Sequence, residues 1–282
     1  MDFDDFDLYP ITPNLIVDNE AVYRSIEATY DALQKLPRKS RAHAEGISLS
    51  RLVSEYSRLE NKGHALFRRG SDVDDTLQLL WMTKARYQAS VTLASGQFQT
   101  FAGLSEDNLA KIRELSKDPK TLSNVKPLLA EYGVVLVYEP SLPSLKIDGA
   151  AFKLENGTPV VALSLRYHRY DNYWFTLMHE LAHVALHIAD LDDPIIDDFD
   201  ESSSDLIELE ANKLASDILI DPADWRTCRA KGTRDIKDVI AFAKEIGTHP
   251  AIVAGRIRNE QNRFELFSKL VNEVNVREIL GE

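Results

Sequence analysis

The segment FTLMHELAHVALH, residues 175–187, constrains the fold more than any other part of the chain. His179 and His183 are four residues apart, and on an α-helix this spacing puts both imidazoles on one face, roughly 6 Å apart along the axis. Most other positions are apolar, so we predict a helix that is buried over much of its surface. Buried polar histidines cost free energy unless a partner satisfies them, and a metal ion is such a partner. The segment therefore predicts a buried helix that presents two metal ligands.

Glu180 completes a His-Glu-x-x-His pattern with these two histidines. Zn²⁺ binds neutral histidine nitrogen at about 2.0–2.1 Å and lowers the pKa of a bound water to about 7. Glu180 lies one step round the helix from His179, where its carboxylate can take a proton from such a water without being a ligand itself. Zinc peptidases use this arrangement, but so short a pattern also arises by chance, so the surrounding sequence has to support the interpretation.

A third ligand is available in DLIELEANKLASDILI, residues 205–220, which we predict to be a second helix. Glu208 and Asn212 lie four apart on one face of it, so Glu208 can complete the ligand set and Asn212 can hydrogen-bond to a ligand. Glu210 competes with Glu208 for the role. The two glutamates lie about 200° apart around a helix, so both cannot face one ion, and spacing alone leaves the choice open.

Several polar residues close to this helix have less defined roles. His187 shares the face of His183 but lies about 12 Å along the axis from His179, so we predict that it does not touch the ion and is either a helix-end residue or a residue that contacts a ligand. Peptide hydrolysis also needs a group that stabilises the oxyanion. The sequence offers four candidates and does not choose between them: Tyr167, His168, Tyr170 and Tyr173.

The pattern of apolar residues changes along the chain and predicts an α+β protein. A mostly helical region at residues 1–120 is followed by a second domain at residues 121–282, which has a small sheet, the histidine-bearing helix and a helical C-terminal extension. Period-3.6 patterns predict N-terminal helices, β-branched runs predict strands, and the C-terminal part is again helical. The helices are predicted at 19–36, 46–63, 73–94, 105–118, 204–220, 222–230, 234–246, 249–259 and 263–280, and the strands at 134–139, 146–154 and 159–165.

Composition and charge exclude several classes of protein. The chain has 45 acidic and 33 basic residues, a net charge of −12, which disfavours binding of nucleic acid by the whole surface. Cys228 is the single cysteine, so no intramolecular disulfide and no cysteine-based zinc cluster can form. The acidic N-terminus lacks the features of a signal peptide, and no apolar run reaches the roughly 18 residues of a membrane span. We therefore expect a cytoplasmic protein without membrane contact.

The segment at residues 190–205 carries eight acidic residues and lies between the two predicted ligand helices. We predict that it is an exposed loop, because so charged a segment gains little from burial. The alternative is that it hangs over the cleft and repels acidic substrates.

The combined motifs resemble the ImmA/IrrE family of zinc metallopeptidases. The resemblance rests on DNYWFTLMHELAHVALH (171–187) and ELEANKLASDILI (208–220), with further similarity at DGAAF (148–152) and THPAIVAGRI (248–257). It implies that Zn²⁺ is the cofactor, that Glu208 is the third ligand, and that Glu180 is the general base. It also implies that residues 121–282 form a zincin-like metallopeptidase domain, and that the protein is a regulatory peptidase that cuts a helix-turn-helix repressor or another protein partner, such as a toxin–antitoxin or defence component. We find no N-terminal DNA-binding domain of the repressor type, so we expect a separately encoded partner.

Two other functions stay open at the level of sequence. The protein can be a non-catalytic, antitoxin-like binding protein that sequesters its partner. Residues 240–260 also resemble a helix-turn-helix, with Arg256, Arg258 and Arg263 nearby. We favour a packed helical hairpin there, because a DNA reader would show a stronger basic stripe. The sequence does not indicate an oligomeric state.

Overall fold

The computed structural model describes residues 19–61, 73–192, 194–197 and 205–281. The chain divides into two compact units, Met1–Thr76 and Leu77–Glu282, and the division falls inside helix α4. The fold is α+β, with many helices and a small mixed sheet, so the predicted fold class is confirmed. The domain boundary that the sequence predicts near residue 120 stays a prediction.

The first unit is helical throughout its described residues. Its helices are α1 (Asn19–Lys35), α2 (Arg38–Arg41) and α3 (Leu49–Asn61), followed by the first residues of α4 (Val73–Ser95). Helix α1 ends just before Pro37, which cannot continue a helix because it has no N–H and clashes with the preceding turn. Helices α1 and α3 pack together, and their buried apolar side chains include Ala32, Leu36 and Leu52.

The second unit contains the strands and the histidine-bearing helix. Helix α5 begins with a capping box, in which Ser105 and Asn108 satisfy each other's backbone N–H groups. In chain order the remaining elements are α5 (Glu106–Glu114), α6 (Val125–Glu131), β1 (Val135–Tyr138), β2 (Gly149–Lys153), β3 (Pro159–Leu163), α7 (Tyr170–Leu186), β4 (Ile195–Asp197), α8 (Leu206–Leu219), α9 (Pro222–Thr227), α10 (Ile236–Glu245), α11 (Pro250–Glu260), α12 (Ser268–Val271) and α13 (Val276–Leu280).

The sheet has the strand order β1-β3-β2-β4. Strands β1 and β3 run parallel, while β2 is antiparallel to both β3 and β4. Strands β1 and β3 are buried along their whole length, which explains why their sequences are continuous apolar runs. Helix α7 packs on β2 and β3. Helix α4 is joined to the strand ends by two hydrogen bonds, from Trp81 to the Glu139 carbonyl (2.8 Å) and from Arg86 to the Lys153 carbonyl (2.9 Å).

The described part of the acidic segment is not entirely the exposed loop that the sequence predicts. Residues Ile195–Asp197 form β4 and pair with the first three residues of β2. Leu191 is fully buried, and its carbonyl accepts a hydrogen bond from the N–H of Lys153 (2.8 Å). The two adjacent isoleucines supply the apolar side chains that a strand needs despite the acidic residues around them. The rest of the prediction, at residues 193 and 198–204, lies outside the described residues.

The C-terminal segment also differs from its prediction. The sequence predicts one helix over residues 263–280, but the structure has the two short helices α12 and α13, with turns before and between them. Phe267 immediately precedes α12 with a φ of 51°, in the left-handed region. A right-handed helix cannot continue through that conformation, so the segment is broken there. Within the described residues, no helix is both long and apolar enough to cross a bilayer.

Candidate metal centre

Helix α7 is fixed at its start by an ion pair between the half-buried Arg169 and the buried Asp171. Arg169 precedes the helix, and its Nε and Nη2 atoms donate to the two carboxylate oxygens of Asp171, at 3.0 and 3.2 Å. Burial raises the pKa of the Asp171 carboxyl, and the Arg169 guanidinium opposes that rise. Helix α11 crosses close by, where a Cβ atom on Gly255 would lie 2.5 Å from Oδ2 of Asp171. Only glycine fits at that crossing, so the ion pair and the helix contact together set the position of α7.

The structure brings the three predicted metal ligands together. His179 and His183 are fully buried on α7, and their Nε2 atoms are 2.9 Å apart. The carboxylate oxygens of Glu208 lie 3.2 Å from Nε2 of His179 and 3.5 Å from Nε2 of His183. All three ligand atoms lie within 4.8 Å of one another. Two helices that are distant in sequence therefore present one cluster of two imidazole nitrogens and one carboxylate.

The composition and the spacing of this cluster are compatible with a bound metal ion such as zinc. Tetrahedral bonds of about 2.0–2.1 Å place two ligand atoms roughly 3.3 Å apart, which is close to the separations seen here. Burial alone would raise the pKa of the Glu208 carboxyl, but hydrogen bonds with His179 and His183 hold it well below its ordinary value. The carboxylate is therefore ionised, as a ligand must be. Three protein ligands are the number found in catalytic zinc sites, where the fourth position stays open.

The packing of α8 on α7 separates the two competing glutamates. Asp205 caps α8 by accepting a hydrogen bond from the N–H of Ile207, and Ala211 is buried at the contact with α7. Around the helix, Glu208 lies about 60° to one side of Ala211 and Glu210 about 100° to the other. Glu208 consequently reaches the two histidines, whereas Glu210 contacts a different residue of α7. Asn212 is half-buried one turn beyond Glu208, and its predicted role stays a prediction.

Glu180 is fully buried and lies against strand β2. A Cβ atom on Gly149, the first residue of β2, would be only 2.2 Å from Oε1 of Glu180. The Glu180 carboxylate therefore occupies the space that the side chain of any other residue at position 149 would fill. The sequence alone does not mark Gly149 as a site residue, although a glycine inside a strand is a known sign of close approach by another group.

His187 follows the last residue of α7 and contacts a candidate ligand, as its spacing predicts. Its Nδ1 atom is 3.2 Å from Nδ1 of His183, so it meets the imidazole nitrogen that does not face Glu208. Its Nε2 atom is 3.1 Å from Oε2 of Glu210. Glu210 is thus linked to the cluster through His187.

Two of the four candidates for oxyanion stabilisation are buried, and their hydroxyl groups are already hydrogen-bonded within the core. The hydroxyl of Tyr170 donates to the Ser116 carbonyl (3.1 Å), and the hydroxyl of Tyr173 is paired with that of Tyr138 (2.9 Å). Both rings are buried, and burial raises the pKa of both hydroxyl groups. We therefore exclude Tyr170 and Tyr173 from this role, which leaves two exposed candidates, Tyr167 and His168.

Tyr167 is linked to the strand that holds Gly149. Its hydroxyl accepts a hydrogen bond from Nη2 of Arg166 (3.2 Å), and the same nitrogen lies 3.3 Å from Oδ2 of the buried Asp148. Asp148 immediately precedes Gly149, so these side chains connect Tyr167 to the part of β2 beside Glu180. No comparable link joins the side chain of His168 to the site among the described contacts.

Two of the arginines near residues 240–260, Arg256 and Arg258, make hydrogen bonds to backbone carbonyls of the same domain. Arg256 donates to the carbonyls of Ser216 (3.0 Å) and Ile220 (3.1 Å), and its guanidinium covers the ring of Trp225. Arg258 is buried, with 5% of its surface exposed. Helices α10 and α11 pack on each other as the favoured hairpin interpretation requires. The DNA-binding alternative therefore loses the two arginines on which it depended most.

The comparisons with known proteins give one match. Residues 130–258 match the family model Peptidase_M78, described as the IrrE N-terminal-like domain. The match runs from the end of α6 to α11 and includes every candidate site residue discussed above. The comparisons with curated proteins and with solved structures return no match.

Proposed function

Since residues 130–258 form a domain of the ImmA/IrrE metallopeptidase family, we propose that the protein is a zinc-dependent endopeptidase. The observation that carries the proposal is the convergence of two imidazole nitrogens and one carboxylate beside a buried glutamate. His179, His183 and Glu208 would hold the ion. Their mix of nitrogen and oxygen atoms favours zinc over magnesium or calcium, which prefer oxygen ligands alone.

Each residue of the site has a distinct task in hydrolysis. A bound zinc ion supplies Lewis acidity, which lowers the pKa of water and polarises the carbonyl of the substrate. Glu180 takes the proton from the attacking water and later delivers it to the leaving amine. Gly149 leaves room for the Glu180 carboxylate. Tyr167 is the better placed of the two exposed candidates for stabilising the oxyanion, because Arg166 and Asp148 connect it to β2.

We propose further that the substrate is another protein rather than a small peptide. The family is associated with regulatory cleavage of helix-turn-helix repressors and of toxin–antitoxin or defence components. The proposed substrate is a separately encoded protein of this kind, cleaved in the cytoplasm.

The test uses full-length protein incubated with each protein encoded by the neighbouring genes. We expect wild type to cut one of them, and we expect Glu180→Gln to lose at least about 10²-fold in rate, because general-base catalysis contributes roughly that much. Chelation should stop cleavage and added Zn²⁺ should restore it, with metal analysis confirming that Glu180→Gln still holds zinc. Glu245→Gln, at an exposed position on α10, is the matched control.

The same comparison separates catalysis from sequestration. A binding protein that acts like an antitoxin would keep its biological activity in the Glu180→Gln variant and would leave its partner intact. Full cleavage by Glu180→Gln would refute the mechanism itself.

A further inference from the structure

A line of hydrogen bonds leads from the metal cluster to the surface. The Nδ1 atom of His183 is 3.2 Å from Nδ1 of His187, and Nε2 of His187 is 3.1 Å from Oε2 of Glu210. Both imidazoles are buried, whereas 51% of the Glu210 side chain is exposed. We call these three side chains the His183–His187–Glu210 line.

Metal binding at His183 permits one arrangement of protons along this line. The ion needs the lone pair on Nε2 of His183, so the proton of that neutral ring is on Nδ1. His183 then donates to Nδ1 of His187, which must be the acceptor. The proton of His187 is consequently on Nε2, where it is donated to the Glu210 carboxylate. Every contact in the line has one donor and one acceptor.

We propose that His187 and Glu210 are positioning residues that orient His183 toward the ion. They fix the tautomer and the ring orientation of His183 and make its Nε2 atom a stronger ligand, as carboxylates behind ligating histidines do. This inference rests on the metal site of the proposed function, but not on hydrolysis.

The side chain of His187 is not needed to end α7. The backbone N–H of His187 donates to the His183 carbonyl (2.8 Å), and any residue other than proline can make that bond. A side chain that served only to terminate the helix would not have to return to the imidazole of His183. The side-chain contacts therefore point to the ligand rather than to the helix end.

The first experiment measures zinc affinity of the full chain by competition with a chromophoric chelator. We expect His187→Leu to raise the Kd for Zn²⁺ by about 10- to 100-fold, the usual effect of losing such a partner. Glu210→Gln should give a smaller increase, because its carboxylate is half exposed. Asp217→Asn removes one carboxylate from the same helix α8, where Asp217 pairs with Lys213 on the surface, and should leave the affinity unchanged.

A conservative variant tests positioning against a general structural role. His187→Asn keeps an oxygen near the place of Nδ1 that can accept from His183, but it cannot reach Glu210. We expect it to recover part of the affinity that His187→Leu loses, and we expect Glu210→Gln to have no further effect in the His187→Asn chain. Nitrogen chemical shifts of zinc-loaded wild type should show His187 protonated at Nε2 and unprotonated at Nδ1.

The outcomes distinguish this inference from the proposed function. Wild type that binds zinc, with His187→Leu binding it equally tightly, would overturn the positioning role alone. A Co²⁺ absorption spectrum that loses a ligand in His187→Leu would also overturn it, because His187 would then touch the metal. Wild type that binds zinc no better than Glu208→Ala would overturn both the line and the proposed function.

Discussion

At the scale of single residues, Glu208 and Glu210 show how two like side chains acquire different partners. They flank the buried Ala211, so each approaches α7 from its own side. Glu208 meets Nε2 of His179 and of His183, and Glu210 meets Nε2 of His187. Helical spacing does not say which glutamate lies beside the histidine pair, and in the structure the part of α8 that faces α7 places Glu208 there.

Gly149 is the residue whose change best isolates the general base. We predict that Gly149→Ala lowers the cleavage rate by about 10²-fold, because a displacement of roughly 1 Å in a catalytic group can cost that much. A Cβ atom 2.2 Å from Oε1 of Glu180 forces such a displacement. The measurements are the cleavage rate and the zinc content, which should stay at the wild-type level.

Gly232→Ala is the control for this prediction, since a Cβ atom there meets nothing within 4 Å. Unchanged cleavage by Gly149→Ala would mean that Glu180 can move without loss and is not the positioned base.

The sequence predicts some of these residues and not others, for a physical reason. His179, Glu180 and His183 lie close together on one helix, so their relative placement follows from helix geometry alone. Gly149 acts on Glu180, and Glu210 on His187, across a tertiary contact between separate segments. No local pattern encodes such contacts. The same holds for Tyr170 and Tyr173, whose hydroxyls are occupied by Ser116 and by Tyr138.

At the scale of elements, the crossing of α7 and α11 depends on Gly255. We predict that Gly255→Ala destabilises the second unit by roughly 1–3 kcal/mol, the usual cost of overpacking a tight contact. The added Cβ atom would lie 2.5 Å from Oδ2 and 2.6 Å from Cβ of Asp171, and the buried Asp171 has no room to retreat from its ion pair with Arg169. Denaturant unfolding measures the loss.

A second change shows whether Asp171 is the group that the new Cβ atom meets. Asp171→Ala should cost less in the Gly255→Ala chain than in the wild type, because it removes the clash with Oδ2 and Cγ and leaves only the contact with Cβ. Equal costs in the two chains would mean that the carboxylate of Asp171 does not contribute to the strain.

Most helices and three of the strands are predictable because their patterns are local. Helices α1, α4 and α8 match their predicted bounds within two residues, whereas α7 begins five residues before the predicted segment 175–187. Strand β4 was missed because two isoleucines among acidic residues give no alternation long enough to recognise, and its stability comes from pairing with β2. The sequence does not predict the break at Phe267. The left-handed backbone conformation of this residue has no recognisable signal in the residues around it.

At the scale of the whole molecule, a metal that binds only the folded chain must stabilise it. We predict that free Zn²⁺ at about 100 times its Kd adds roughly 2.7 kcal/mol to the free energy of unfolding. For a unit of this size, that should raise the Tm by roughly 5–10 °C. The measurement is thermal unfolding with chelator and with increasing free zinc.

Glu208→Gln provides the reference for this prediction, because it removes the charged ligand and preserves the shape. Its Tm should respond much less to zinc. An equal response in wild type and in Glu208→Gln would mean that the stabilising ion binds at another site.

The split of the ligand set between α7 and α8 has a consequence for synthesis of the chain. During translation, His179 and His183 leave the ribosome well before Glu208, and the cluster cannot close until α8 has packed on α7. A product of interrupted translation that stops before α8 carries the His-Glu-x-x-His helix without its carboxylate ligand. Such fragments cannot assemble the full site, so under the proposed function unfinished chains would lack proteolytic activity.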